Sequence, residues 1–495
     1  MTLWSAVLLR LDQALGPAWR RMLLGVFLAG LGYAVFVPAF EGRQEAAQMA
    51  ALETFASTGR LVLSDDARLS PDALGFAGPW PRSLAQEGRP GYARFAHPDV
   101  AEAAQPGPAA DAERYRARPL TLALLAPVRF ATPSWSWPAR LRLYRVILWS
   151  VAMAGFAAVV TAAVHYRYLD GRGAALMAAW PLIFPQFVSQ MALAGGSGPA
   201  LACIGAASVA FMALSRRNDL MASLGLGLAL GLGIWADALV VLIWAGLAGY
   251  LVWRGWTLHR QDSLDGEWLV LRLFAIGLAL LIGAGWLIYV MTSPHAAPMT
   301  PVLGPGFLER LWAIVAGFSE DGGASVILPE PGWRLVPLAL LVFILIRWEF
   351  HWSSLPPLAR ALAFILPLFT LSVLLLGLQG YAAGLEDLHM LAPLLALAFA
   401  LCCRHSALAL ALIILGVAGV LAQGAIQASV FAGCALPDGG TGRYGYEASS
   451  CLLDWAALQE VSAPGLGLKL LAVGGLSALS ALFTLWRQAS WQSGD

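Results

Sequence analysis

Apolar residues in this chain gather in long, nearly unbroken runs, and polar residues are confined to the connections between them. A helix needs about 20 mostly apolar residues to cross the hydrocarbon of a bilayer, somewhat fewer when its neighbours shelter it. Read on that basis, the runs predict about twelve membrane helices, at 22–39, 143–164, 174–192, 199–214, 220–236, 238–253, 269–291, 335–346, 358–377, 389–402, 407–430 and 466–485. The expected fold class is an all-α polytopic membrane protein. The fifth and sixth runs are short and almost continuous, so the count carries a margin of one or two.

Three polar stretches break the rhythm. The chain divides into a leading segment 1–21, a first span 22–39, a first long segment 40–142, helices two to seven at 143–291, a second segment 292–334, helices eight to eleven at 335–430, a third segment 431–465, and a last span with its tail at 466–495. In a protein of short connections, one segment of about a hundred residues at the first exit from the bilayer is where binding or chemistry is expected. It begins with a helical stretch from Glu45 to Thr58, stopped by Gly59 as a C-cap. A Pro- and Gly-rich middle at 70–108 has little periodicity and reads as an ordered irregular loop. From Pro119 a helical pattern too short to span suits a helix lying in the interface, and Trp135 and Trp137 mark a return to headgroup level. An amphipathic stripe at 306–318 predicts a second interfacial helix, and 2–19 suits an amphipathic helix on the cytoplasmic surface more than a cleaved signal peptide.

Composition removes whole classes of function. With 59% hydrophobic and 12% charged residues a water-soluble globular fold is excluded, and a net charge of +1 with singly scattered basic residues gives no electrostatic footprint for nucleic acid. Arginines in short connections (Arg20, Arg21, Arg167, Arg172, Arg216, Arg217, Arg254, Arg260, Arg347, Arg404 and Arg487) fall on one side, whereas connections 194–198 and 382–387 have no basic residue. The positive-inside rule then places both termini in the cytoplasm and the long first segment outside, in the periplasm of a bacterial inner (cytoplasmic) membrane. Cys203, Cys402 and Cys403 lie in spans or at their cytoplasmic ends. Cys434 and Cys451 share the third external segment, with 16 residues between them. A disulfide there would constrain the loop by about 3 kcal/mol; two free thiols are the alternative. No cysteine spacing matches a zinc or thioredoxin-type site. The glycines at 225–233 read as close helix packing, since no strand-to-helix turn surrounds them.

The first segment opens on two carboxylates, Glu41 and Glu45. Gln44-Glu45-Ala46-Ala47-Gln48, followed by Thr58-Gly59-Arg60, and later Arg118-Pro119-Leu120, Pro181 and Pro185 before Gly195-Gly196-Ser197-Gly198, and Asp387-Leu388-His389-Met390-Leu391-Ala392-Pro393, together resemble the GT-C superfamily of membrane glycosyltransferases. Many members open this loop with Asp-Glu, two residues and His, so Glu45 matches the second carboxylate while Gln44 replaces the first. Ala117 likewise stands where a His is common, and His389 where an Arg is common.

The resemblance implies inverting transfer of a sugar from a polyprenyl-phosphate-linked donor to a lipid, glycan or protein acceptor at the periplasmic face, with membrane lipids as surroundings. Such transfer needs a base for the acceptor hydroxyl and cationic groups for the leaving phosphate. Glu45 is the first candidate base and Glu41 the second; the plain alternative is a solvated carboxylate in the first turn of an interfacial helix. Arg43, Arg118, His295 and His389 are the candidate phosphate ligands, each of which also reads as an ordinary interfacial polar residue. Asp237, at a tight turn between spans, is a weaker candidate. No metal ligand is assigned, and of cofactors only a divalent cation is left open. The missing Asp and His keep a non-catalytic envelope assembly or binding protein of the same fold in view. A lipid or polysaccharide flippase and an O-antigen polymerase or ligase remain the other readings.

Overall fold

The computed structural model describes residues 16–40, 45–59, 68–70, 73, 76, 107–108, 118–194, 197–292, 306–308, 311, 355–379, 385–403, 407–431, 459 and 462–492. The helices are α1 (Ala18–Phe36), α2 (Glu45–Thr58), α3 (Pro119–Ala131), α4 (Trp137–His165), α5 (Gly171–Ile183), α6 (Pro185–Ala192), α7 (Gly198–Arg216), α8 (Leu220–Ala236), α9 (Val240–Arg260), α10 (Gly266–Thr292), α11 (Pro357–Leu378), α12 (Ala392–Cys403), α13 (Ala407–Phe431) and α14 (Pro464–Gln492), with a 3-10 turn at Leu385–Leu391. The protein is an all-α polytopic membrane protein. Seven of these helices, α1, α4, α7, α9, α10, α11 and α14, are long and apolar enough to cross a bilayer. Four more of the twelve expected spans coincide with the α5–α6 pair, α8, the 3-10 turn running into α12, and α13; the expected span 335–346 lies outside the described residues. So does most of the amphipathic stretch 306–318.

Local chemistry explains several boundaries. Asp170 accepts from the Gly173 N–H at 2.7 Å and Asp219 from the Met221 N–H at 3.0 Å, capping α5 and α8. Proline opens α3, α4, α7 and α11, where its missing N–H costs nothing. One expected span, 174–192, is instead two helices, because Pro185 has no N–H and keeps the preceding Phe184 extended. Gly59, at φ +68°, ends α2 as expected, its N–H reaching the Phe55 carbonyl at 2.8 Å. A two-residue antiparallel ladder, Arg68–Leu69 with Gly107–Pro108, closes the first long segment on itself, which its sparse periodicity did not foretell.

The first and last spans form the most intimate pair. On α1, Gly25 and Gly32 face Gly474 and Gly467 of α14; a Cβ on either member of each pair would stand 2.8–2.9 Å from the other's carbonyl oxygen. Without side chains in between, backbones approach closely and dispersion contacts accumulate along the crossing. Arg21 closes one end through Thr484 Oγ1 at 2.9 Å, and the Ala463 N–H donates to the Val35 carbonyl at 2.7 Å at the other. Gly227 and Gly231 similarly seat α8 on α10. The outward faces keep Leu232, Val252, Leu281, Leu371 and Leu476 exposed, the surface lipid would cover.

Candidate functional site

Helix α1 stops where Pro38 follows, leaving its last carbonyls without helical partners. The guanidinium of Arg145, two turns into α4, fills that end. It donates to the carbonyls of Ala34 at 3.4 Å, Pro38 at 2.8 Å and Val37, and to both oxygens of Glu45, at 2.8 Å from Nε and 2.6 Å from NH2. All five donors are used, and the two side chains are 1% and 0% exposed. Cationic charge at a helix C-terminus is favourable in itself, and the Glu45 carboxylate balances the remainder. The Ala194 N–H, just past α6, adds a third bond to Glu45 Oε1 at 3.0 Å. Glu45 thus ties the start of the first segment to α4 and to the hairpin between α6 and α7. It is no solvated first-turn carboxylate.

The same hairpin receives a second polar group. Arg118, the residue before α3, donates to Asp237 Oδ2 at 3.3 Å and to Ser197 Oγ at 3.2 Å, and the Ser197 hydroxyl donates to Asp237 Oδ2 at 3.3 Å. Asp237 sits in the α8–α9 turn, where its other oxygen accepts the Leu239 N–H at 3.1 Å. Arg118, Ser197 and Asp237 are all buried. The helices α2 and α3 therefore bring their N-terminal charges, Glu45 and Arg118, onto residues 194 and 197 between α6 and α7. One helical turn further along each, Gln48 and Thr121 are also fully buried, and the Gln48 amide and Thr121 hydroxyl have no hydrogen-bond partner among the described residues. The Tyr144 hydroxyl, next to Arg145, is in the same state. Buried polar groups left this way are costly unless water or a ligand meets them.

A third contact holds α2 to α3. Glu53 pairs with Arg129, through Nε and through NH2 at 3.0 Å, and lies 3.5 Å from Arg140 of α4. Hydrogen bonding to Glu53 raises the Arg129 pKa above its ordinary value. This pair is partly open to solvent, so Glu53→Gln should cost only about 0.5–1 kcal/mol in chemical unfolding, far less than any change at Glu45.

His389 lies in the 3-10 turn, 2% exposed, its ring 5.7 Å from Phe187 and 6.3 Å from Phe184 at the α5–α6 break. It therefore packs against the chain leading to Ala194. Glu41, Arg43, His295, Cys434 and Cys451 fall outside the described residues. Glu45 is paired with Arg145 and Asp237 with Arg118, and no group of three or more His, Cys, Asp or Glu converges among the described residues. Sequence reasoning missed Arg145 and Ser197. An arginine inside a predicted span, at 145 within 143–164, was the available signal for the first.

No family model and no curated protein matches the sequence. Among solved structures the chain is similar to ArnT from Cupriavidus metallidurans. The likeness to the apo crystal structure has TM-score 0.47 and 13% identity over 94% of this chain and 75% of that one. To the crystal structure bound to undecaprenyl phosphate it has TM-score 0.41 and 13% identity over 97% of this chain and 76% of that one.

Proposed function

We propose that the protein transfers a sugar from a polyprenyl-phosphate donor to a hydroxyl acceptor, in an inverting single displacement at the membrane face that carries Glu45 and Arg118. The observation supporting this most directly is the convergence of α2 and α3 on the 194–197 hairpin, with buried carboxylates, buried guanidiniums and unpartnered amide and hydroxyl groups at one end of a helical membrane bundle. In the reaction the acceptor oxygen bonds to the anomeric carbon, the bond from that carbon to the phosphate oxygen breaks, and a carboxylate takes the hydroxyl proton. Arg118 is the cation for the leaving phosphate, and Gln48 and Thr121 offer hydrogen bonds to sugar hydroxyls.

Both oxygens of Glu45 are engaged by Arg145 and the Ala194 N–H, so Glu41 is the base in this reading and Glu45 a positioning residue. The test uses the full chain in nanodiscs, undecaprenyl phosphate as the binding probe, and a panel of undecaprenyl-phosphate sugars as donors. Glu41→Gln should lower transfer by about 10²–10⁴-fold while leaving lipid binding and unfolding unchanged. Full transfer by Glu41→Gln moves the base elsewhere, and a wild-type chain that binds no undecaprenyl phosphate removes the donor assignment.

A further inference from the structure

At the opposite end of the bundle, where the short connections carry arginine, α7, α9 and α10 enclose a cavity of about 300 Å³ that also reaches Pro357 at the start of α11. Its walls are unlike the apolar seams elsewhere in the bundle. Arg272, more than a turn inside α10, is 5% exposed. Its NH2 donates to the Leu214 carbonyl at 2.7 Å, and its NH1 to the Trp268 carbonyl and Asn218 Oδ1, both at 3.0 Å; the guanidinium lies 4.4 Å from the Trp268 ring centre. None of these partners carries negative charge.

The acid lining the cavity is Asp265, already engaged at both oxygens: Oδ1 caps α10 through the Glu267 N–H at 3.1 Å, and Oδ2 accepts from Asn218 Nδ2 at 3.2 Å. Arg254 lines the same cavity from α9, half-buried, and its guanidinium has no hydrogen-bond or ion-pair partner among the described residues. The Tyr250 hydroxyl lies in the field of Arg360, Arg254 and Arg272.

Two guanidiniums against one committed carboxylate leave the cavity net positive, and an arginine held away from water without a counter-ion calls for one. A free guanidinium fork matches phosphate oxygens bidentately. Tyr250 adds a hydroxyl donor, whereas the Ser215 and Ser263 hydroxyls donate to the Phe211 and Leu258 carbonyls at 2.8 and 3.3 Å; Phe211 and Leu251 give an apolar wall suited to a glycerol or acyl stem. Basic pockets between helices at this depth suit lipid headgroups.

We propose that this cavity binds a phosphate ester, with Arg254 as its principal ligand and Arg272 as a fixed cation behind it. An anionic phospholipid of the adjacent leaflet and a soluble phosphate share the chemistry. The full chain would be titrated with phosphatidylglycerol and read by native mass spectrometry, and separately with inorganic phosphate by equilibrium dialysis. Arg254→Gln should weaken binding by about tenfold or more. Ser215→Phe, which fills the cavity and removes no charge, should do the same. Arg260→Gln, on an exposed guanidinium 3.9 Å from the Trp256 ring centre, should stay within about twofold of wild type.

Arg254-dependent retention of phosphatidylglycerol assigns the site to the lipid, and Arg254-dependent binding of inorganic phosphate alone assigns it to a soluble ester. Equal losses in Arg254→Gln and Arg260→Gln, or no loss of either ligand in Arg254→Gln and Ser215→Phe, overturn the site. Since the cavity lies at the other end of the bundle from Glu45 and Arg118, glycosyl transfer can fail its own test without affecting these outcomes.

Discussion

Arg145→Met should destabilise the protein by about 3–5 kcal/mol and abolish the proposed sugar transfer, the largest loss expected from any single polar change in the chain. The substitution leaves Glu45 buried as an unpaired carboxylate and strips hydrogen bonds from the Ala34, Val37 and Pro38 carbonyls together. Glu45→Gln should cost nearly as much, because it removes the negative charge that balances the buried guanidinium and turns one of the two acceptor oxygens into an amide donor. The double variant is the informative one. With both charges gone the electrostatic penalty disappears, but the three carbonyls at the end of α1 stay unmet. Stability should therefore recover only in part, and the coupling between the two sites should come out at 1 kcal/mol or more. Chemical unfolding in mixed micelles measures this. An Arg145→Met protein within about 1 kcal/mol of wild type would mean that the clamp does not hold the first segment in place.

The clamp also shows which parts of the molecule could be read from residue order and which could not. Spans such as α4, α9 and α10 were legible because burial in lipid demands an uninterrupted apolar run, a property local to the run itself. The stop at Gly59 was legible because a left-handed cap favours glycine at that one position. The break at Phe184 was half legible: Pro181 and Pro185 were both noticed, yet only the second ends a helix.

Partners were the hidden part. Arg118 and Asp237 were each noticed, but 119 residues separate them and nothing local records that they meet. Arg145 was hidden for a different reason. An arginine near the start of a span ordinarily snorkels to headgroups, and only the neighbouring end of α1, broken by Pro38, turns it inward. Ser197 went unremarked inside a glycine-rich turn, although its hydroxyl bonds both Arg118 and Asp237 beside their direct contact.

Gly155→Leu should prevent stable insertion or lower stability by about 3 kcal/mol or more, through geometry alone. A Cβ at Gly155 would lie 2.4 Å from the Ala202 Cα, and one at Gly205 2.5 Å from the Gly155 carbonyl oxygen, so α4 and α7 meet backbone to backbone. No flexible side chain lies between them to yield, and one helix must move. The consequence reaches the site. Arg145 belongs to α4, whereas Ser197 immediately precedes α7 and Ala194 stands three residues before it. Higher on the same seam, a Cβ at Gly198 would lie 2.9 Å from the Leu148 carbonyl oxygen.

Forcing the two helices apart should pull the 194–197 hairpin away from Glu45 and Arg118 together. Milder substitutions can then separate packing from chemistry. Gly155→Ala should lower transfer and stability in proportion, while Gly249→Ala, whose nearest neighbour to an added Cβ is Phe364 at 3.9 Å, should change neither. Transfer that survives intact in a folded Gly155→Leu protein would show that the hairpin's position is not set by the α4–α7 crossing.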